Sequence, residues 1–191
     1  MKRLITLLAA ALIALTAARA QCSAPNTAFK SGETLMYDLY FNWKFVWVKA
    51  GTAYMNTTQT KWKGKPAFKT YLITRGSDKA DKYFVMRDTL TAYCGTDLVP
   101  YHYRKGAFEG KSYRLNEVAY SYDGGKCTAK MTYRKNNDKA LHKQYSGEYC
   151  AYDMISMLMR ARSFDASTFK TGHRIPFLMA DGHTCQWQNI V

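Results

Sequence analysis

Most of the chain shows the period of two that is typical of β-strands. The clearest case is the segment 33–41, where Leu35, Tyr37, Leu39 and Phe41 alternate with the residues between them. Such alternation indicates a strand with one covered face. Similar runs follow, separated by turn-forming residues such as Asp123-Gly124-Gly125. The pattern predicts at least eight strands, in the ranges 33–41, 44–60, 67–75, 83–93, 98–105, 113–122, 126–135, 140–145, 172–181 and 184–191.

One segment departs from this pattern. Between residues 149 and 164 the polar residues Asp153, Ser156 and Arg160 recur at spacings of three and four, so they fall on one narrow stripe of a helix. The other positions are almost all apolar, which is typical of a buried helix. Asp153 lies near the start, where it can act as N-cap, and Arg160 lies in the last turn. We predict a helix at about residues 152–163.

Together these elements predict a mainly β fold. We expect a single bent antiparallel meander sheet, or partly open barrel, with one packed helix. Antiparallel pairing is expected throughout because no strand–helix–strand crossover is visible. Asn42-Trp43 is interpreted as a turn, and the glycine of Ala50-Gly51 indicates a bulge or bend in the second strand.

The first 20 residues have the organisation of a secretory signal. A basic pair precedes an apolar run, and Ala18-Arg19-Ala20 is a small-x-small cleavage motif. We predict cleavage after Ala20, which leaves residues 21–191 as a single β-rich domain in the periplasm or outside the cell. A lipid-modified cysteine normally follows a small residue, whereas Gln21 precedes Cys22. Plain secretion is therefore preferred to a lipoprotein anchored at Cys22.

The net charge of the chain narrows the range of binding partners that we expect. Without the first 20 residues, 25 basic residues stand against 14 acidic ones, a net charge of +11. This favours anionic partners such as lipid headgroups or glycans, although the charge also serves simply to keep an exported protein soluble. An envelope protein is a further candidate partner. Nucleic acid is not expected for an exported chain, and any membrane association would be peripheral because no second long apolar run follows.

Four cysteines of the mature chain form an even set: Cys94, Cys127, Cys150 and Cys185. In an exported protein they can form two disulfides in three alternative pairings, or some are merely buried small residues. They are far apart and no Cys-x-x-Cys occurs, which argues against a thioredoxin-type redox site and a zinc ribbon. The four histidines are scattered, so we expect no metal site and no cofactor.

No catalytic motif is recognised. The segment 106–112 resembles a phosphate loop, but it has three residues between its glycines where four are needed. Asp88 and Asp153 are carboxylates in apolar or aromatic surroundings, with Arg87 and Arg160 nearby in sequence. We interpret these four as structural ion pairs. The weakest hypothesis makes the protein a hydrolase or isomerase that uses Asp88 or Asp153.

Aromatic residues indicate a candidate binding face. Phe41, Trp43, Phe45 and Trp47 fall on one side of a strand if the chain only bends at Trp43. A concave sheet lined with aromatic rings can hold an acyl chain or stack on sugar rings, and an ordinary β core is the alternative. Helix methionines suit an adaptable cavity or simple gap filling. The predicted ligand-binding residues are Tyr37, Trp43, Trp47, Met154 and Leu158.

Five short motifs occur in an order that resembles an exported bacterial family, the domain of unknown function 3108. They are Gly32-Glu33-x-Leu35-x-Tyr37, Ala50-Gly51-x-Ala53, Val85-x-Arg87-Asp88, Leu98-x-Pro100 and Tyr152-Asp153-Met154-Ile155-Ser156. The resemblance spans about residues 29–181, and the Lys- and Tyr-rich composition is similar to that of Bacteroidetes members.

This resemblance implies a periplasmic or exported, mostly antiparallel β protein with no established activity, similar in outline to barrel-like lipoprotein carriers. It gives no catalytic residues. It also implies several strands beyond the position of Asp181, so a C-terminally truncated chain is expected.

Two functions follow. The first is a non-catalytic envelope protein that binds a lipidic or glycan ligand between the helix and the concave sheet face. The alternative is a structural or protein-interaction module of the cell envelope, with a solid core and no small ligand. An internal cavity discriminates between them.

Overall fold

The computed structural model describes residues 22–191, apart from the side chain of Trp43. The predicted signal segment 1–20 and its cleavage after Ala20 lie outside the described residues. The strands are β1 (Glu33–Trp43), β2 (Val46–Trp62), β3 (Lys65–Gly76), β4 (Met86–Gly95), β5 (Pro100–Glu109), β6 (Ser112–Asp123), β7 (Lys126–Lys135), β8 (Leu141–Gly147), β9 (Ala151–Tyr152), β10 (Ile175–Asp181) and β11 (Thr184–Ile190). The helices are α1 (Asp78–Asp81) and α2 (Met154–Arg162), with a 3-10 turn at Ala166–Thr168.

The first eight strands form one antiparallel meander, because each strand pairs with the next one along the chain. Within the described residues β1 and β8 are its two edges, so the sheet is open. This confirms the predicted mainly β fold with an antiparallel meander and one packed helix. The expected bulge is also present, since the partners of Leu39 and Tyr40 are Gly51 and Lys49, which leaves Ala50 unpaired.

A second, three-stranded sheet has the order β11-β10-β9. Strands β10 and β11 form an antiparallel hairpin, but β9 pairs with β10 in parallel, through Leu178 with Ala151 and Met179 with Tyr152. The expectation of antiparallel pairing throughout is therefore wrong at this point. The physical reason is that α2 connects β9 to β10, and such a crossover makes neighbouring strands parallel. A two-residue strand carries no periodic signal from which this could be read.

The core lies on the inner face of the large sheet. Successive strands contribute fully or nearly fully buried side chains to it: Met55, Leu90, Tyr103, Val118 and Met131. Ile155 and Met159 of α2 are buried against the same core. Met154 and Leu158, on the other side of the helix, are each 40% exposed. The prediction of a helix buried all round is therefore corrected to a helix with one solvent-facing edge.

The segment that precedes β1 is tied to the core. Cys22 forms a disulfide with Cys150, and Phe29 is buried with its ring centroid 5.1 Å from that of Phe68. This corrects the predicted disulfides, because Cys150 pairs with Cys22, which was not in the predicted set of four cysteines. The other three, Cys94, Cys127 and Cys185, are free thiols. The pairing depends on the tertiary fold, since 128 residues separate the two cysteines.

Among residues 22–191 no helix has both the length and the apolar composition that crossing a bilayer requires.

Candidate functional site

The predicted ligand-binding residues do not share one face. The chain reverses at Lys44-Phe45, because Trp43 pairs directly with Val46, and Lys44 adopts the positive φ of 56° that suits a two-residue hairpin turn. This corrects the predicted turn at Asn42-Trp43.

The reversal separates the aromatic residues. Tyr37 lies opposite the buried Ala53 on the inner face, whereas Trp47 lies opposite Asn42 on the outer face. The side chain of Trp43 is outside the described part of the chain. Met154 and Leu158 face solvent, so the predicted pocket between helix and concave sheet is wrong.

A different cleft lies on another side of α2. It has a volume of about 270 Å³ and lies, open to solvent on one side, between the helix, the segment before it and the small sheet. Its walls are formed by Tyr149, Cys150, Tyr152, Met157, Arg160, Phe164, Ile175, Pro176, Phe177, Leu178 and Trp187. The lining is therefore mainly aromatic and aliphatic, with a single charged residue.

The geometry of the cleft follows from three local features. Tyr149 and Trp187 stand at its mouth with their ring centroids 5.1 Å apart and the rings edge to face. The Cys22–Cys150 disulfide holds one wall. Arg160 donates a hydrogen bond to the Cys22 carbonyl oxygen at 2.9 Å, and its guanidinium lies 5.2 Å from the centre of the Tyr152 ring.

This arrangement suits an amphipathic ligand. Aromatic and aliphatic walls bury an apolar group, while a small number of polar groups fixes its orientation. A guanidinium has five N–H donors, and the bond to Cys22 uses one of them. Arg160 can therefore also bind an anionic group at the cleft. Sequence reasoning missed this site because its walls come from β9, α2, β10 and β11, which meet only in the tertiary fold.

Asp153 has a structural role at the start of α2. It is the N-cap of α2, as predicted, and it is 0% exposed. Its carboxylate accepts hydrogen bonds from the backbone N–H of Ser156 at 2.8 Å, from the Ser156 hydroxyl at 2.7 Å and from the Tyr120 hydroxyl at 3.3 Å. The predicted ion pair with Arg160 does not form, because Arg160 points toward Cys22 and Tyr152.

The surroundings of Asp153 shift the pKa of its carboxyl group. Burial raises the pKa of this carboxyl to about 6, and the hydrogen bonds from Ser156 and Tyr120 lower it only in part. Neighbouring groups stay neutral below pH 8, because burial raises the pKa values of Tyr120 and Tyr103 and raises the pKa of Cys94 to about 12. Asp153 is thus a buried acid that keeps its proton up to about pH 6 and is mostly charged at pH 7.

The raised pKa predicts a pH-dependent contribution to stability. The native state holds the Asp153 proton up to about pH 6, whereas the ordinary value is 3.8. The stabilisation is therefore complete below pH 4 and is lost as the pH rises through 6, by about 1–3 kcal/mol. We expect the difference in free energy of unfolding between the wild type and Asp153→Asn to fall by this amount between pH 4 and pH 7, measured by urea denaturation. A constant difference would contradict the assigned pKa.

Arg87 and Asp88 are also not partners. They are neighbours in β4, so their side chains point to opposite faces of the sheet. Arg87 instead donates a hydrogen bond to Asp81 of α1, with Nη1 2.9 Å from Oδ1. Asp88 is buried on the inner face, where burial and the nearby Glu109 raise its pKa.

Asp88 belongs to a polar patch on the inner face of β4 to β6. Glu109 is bonded to Lys105 at 3.4 Å and to Arg114, and Asn116 donates to Asp181 at 2.8 Å. Asp88 Oδ1, the Tyr103 hydroxyl and Asn116 Oδ1 are buried and have no hydrogen-bond partner among the described residues. In residues 22–191 no group of three or more His, Cys, Asp or Glu side chains is placed to hold a metal ion.

One family model matches the chain, over residues 36–187, and its description is "Protein of unknown function (DUF3108)". The match covers most of the chain and includes β2 to β10 and α2. No curated protein and no solved structure matches the chain.

Proposed function

The chain belongs to the DUF3108 family of proteins of unknown function, and we propose that it is a non-catalytic envelope protein that binds an anionic lipidic or glycan ligand. The observation that carries this proposal is the aromatic cleft beside α2. Its volume of about 270 Å³ accommodates a short length of acyl chain or one sugar ring rather than a whole lipid. A larger ligand would therefore extend past Tyr149 and Trp187 at the mouth.

The walls of the cleft support an amphipathic ligand. Phe164, Phe177 and Leu178 offer apolar contact, and the faces of Tyr149 and Trp187 can stack on a ring or cover a methylene chain. Arg160 provides the one cation, and a guanidinium binds carboxylate or phosphate oxygens in a bidentate manner. The excess of basic residues would attract an anionic ligand from a distance.

The disulfide supports the exported location. Disulfides persist in oxidising compartments such as the periplasm and are rare in the reducing cytosol. The Cys22 sulfur is bonded to Cys150, and the same sulfur cannot also carry a lipid thioether. Plain secretion after Ala20 is therefore favoured over lipid anchoring at Cys22.

A catalytic role is not proposed. Asp153 has no exposed surface and its oxygens are engaged by Ser156 and Tyr120, so a substrate cannot reach it in the folded state. Asp88 is buried beside Thr74, Lys105 and Glu109 on the inner face of the sheet.

The proposal is tested by ligand binding with variants of the cleft mouth. Protein purified from the periplasm without detergent would be analysed by native mass spectrometry, and then titrated with a fluorescent fatty acid. Trp187→Ala removes a ring that is largely exposed, so stability changes little while the dissociation constant should rise about tenfold. Trp47→Ala is the matched control, because Trp47 is an exposed tryptophan outside the cleft lining.

The outcomes separate the two candidate functions. A co-purifying lipid or glycolipid, together with fatty-acid binding that Trp187→Ala weakens and Trp47→Ala leaves unchanged, supports the binding protein. An apo mass with no binding of the fatty acid would contradict it and favour the structural or protein-interaction module.

A further inference from the structure

The end of the β1–β2 hairpin extends beyond the rest of the sheet. Strand β3 ends at Gly76, which pairs with Gly51 of β2, so residues 40–49 pair only with one another. This free part contains four residue pairs and the Lys44-Phe45 turn, and it is about 10–15 Å long. We refer to residues 40–49 as the hairpin tip.

Both faces of the hairpin tip carry exposed aromatic side chains, and the outer face also holds Asn42 and Lys49. Phe41 and Val48 pair on the inner face, and Trp47 lies on the outer face. The exposed fractions are 98% for Phe45, 67% for Trp47 and 59% for Phe41. A strand with large apolar side chains on both faces is normally covered on both faces, yet nothing in residues 22–191 covers this one. Such an exposed apolar surface marks an interaction site.

The neighbouring loop extends this surface. The backbone N–H of Ser77 donates to the Ala50 carbonyl oxygen at 2.8 Å, which fixes the loop before β4 at the base of the hairpin tip. Tyr83 in that loop is 92% exposed, and Phe84 beside it is also exposed. Aromatic side chains from two separate hairpins therefore lie at the same end of the sheet.

The same end is cationic. Lys44, Lys79 and Lys82 are exposed and form none of the ion pairs of the described residues. Two nearby acids are already neutralised, since Asp38 binds Lys49 at 2.7 Å and Asp81 binds Arg87. Asp78 is the remaining acid of α1, so the cations outnumber the free acids.

We propose that the hairpin tip docks this protein onto an anionic bilayer surface. The rings of Phe41, Phe45 and Trp47 would enter the boundary between headgroups and acyl chains, a depth of about 5–10 Å that the tip can reach. Lys44 would extend its charge back to the headgroups, and Lys79 and Lys82 would bind anionic lipids beside it. Only the backbone groups that face between β1 and β2 are paired, so the hairpin tip suits the hydrated boundary at the headgroups and not the hydrocarbon interior.

A second copy of the chain is a poorer occupant. Residues 21–191 have a net charge of +11, and two such tips would bring like charges together at their lysines. An anionic bilayer instead complements the charge and covers both faces at once. This inference does not depend on the cleft beside α2, which lies at a different part of the fold.

The test is co-sedimentation of the purified protein with vesicles of phosphatidylcholine, with and without phosphatidylglycerol. We expect stronger binding to the anionic vesicles and weaker binding as salt is added. The double variant Phe45→Ser with Trp47→Ser should lower the partition coefficient at least tenfold. The reason is that it removes both aromatic rings that would be buried at the boundary between headgroups and acyl chains. Lys44→Gln should lower the partition coefficient about fivefold, and only on the anionic vesicles.

Two controls sharpen the result. Leu141→Ser removes an exposed apolar side chain from β8 at the opposite edge of the sheet, and it should leave vesicle binding unchanged. Trp187→Ala should also retain vesicle binding even though it weakens the cleft, so failure of this inference and failure of the proposed function are distinguishable. Circular dichroism would verify that each variant is folded.

Three results would overturn the inference. The first is that the protein binds neither kind of vesicle. The second is that the double variant binds the vesicles as strongly as the wild type. The third is a concentration-dependent dimer that the double variant abolishes without any effect on vesicle binding. The last result would assign the hairpin tip to a second copy of this chain.

Discussion

Loss of the Cys22–Cys150 disulfide is expected to lower the free energy of unfolding by about 2–5 kcal/mol. The bond closes a loop with a sequence separation of 128 residues. A cross-link of that length removes much of the conformational freedom of the unfolded chain, so breaking it stabilises the unfolded state. The measurement is equilibrium urea denaturation of the oxidised protein, the reduced protein and the double variant Cys22→Ser with Cys150→Ser.

The native state should lose contacts as well. Cys22 lies in the segment before β1, and its carbonyl oxygen accepts the hydrogen bond from Arg160. In the same segment Ala24 donates to the Asp97 carbonyl oxygen at 2.8 Å, and Phe29 packs on Phe68. Once the cross-link is broken, the segment is held only by non-covalent contacts, these among them. Reduction should therefore also weaken ligand binding at the cleft, because Cys150 forms part of its wall.

Cys185→Ala is the matched control for this experiment. Cys185 is a free, half-buried thiol, so its replacement should cost less than about 1 kcal/mol. Equal urea midpoints for the oxidised and reduced protein would contradict the predicted stabilisation. Peptide mapping of the oxidised protein would check the pairing itself, since a bond between two of Cys94, Cys127 and Cys185 would replace the assignment.

The parts of the fold that could be predicted are those set by local patterns. Leu35, Tyr37 and Leu39 alternate within β1 because every second side chain of a strand faces the core, and this signal is visible in one sequence. Asp153 and Arg160 marked the two ends of α2 for a similar reason, because the caps and the dipole act within one turn of the helix.

The parts that could not be predicted depend on register and tertiary contact. The chain reverses at Lys44-Phe45 and does not merely bend at Trp43, so Trp47 pairs with Asn42 on the outer face whereas Phe41 lies on the inner face. Cys22 meets Cys150 only after the sheet has folded. Arg160 was expected to bind Asp153, but the N-cap position turns Asp153 into the core while Arg160 lines the cleft.

Replacement of Asp153 by Ala is expected to lower the free energy of unfolding by about 2–4 kcal/mol at pH 5. The loss of the helix cap accounts for about 1 kcal/mol. The remainder comes from the Ser156 hydroxyl and the Tyr120 hydroxyl, which lose their common acceptor in a buried site. Urea denaturation followed by circular dichroism would measure the difference between variant and wild type.

The variant Asp153→Asn separates the contribution of the helix cap to stability from that of the carboxylate charge. In Asn the amide oxygen can replace Oδ1 and accept from the Ser156 N–H, while the NH2 group that replaces Oδ2 can donate to the Ser156 and Tyr120 hydroxyls, so this variant should lose less stability than Asp153→Ala at every pH. Above pH 6 the wild-type carboxylate is charged and has no cation beside it among its described contacts. The cost of either substitution should therefore shrink between pH 5 and pH 8. If Asp153→Ala were instead as stable as the wild type at pH 5, the buried hydrogen bonds of Asp153 would not hold α2 against the sheet, and its role as the anchor of the helix would have to be abandoned.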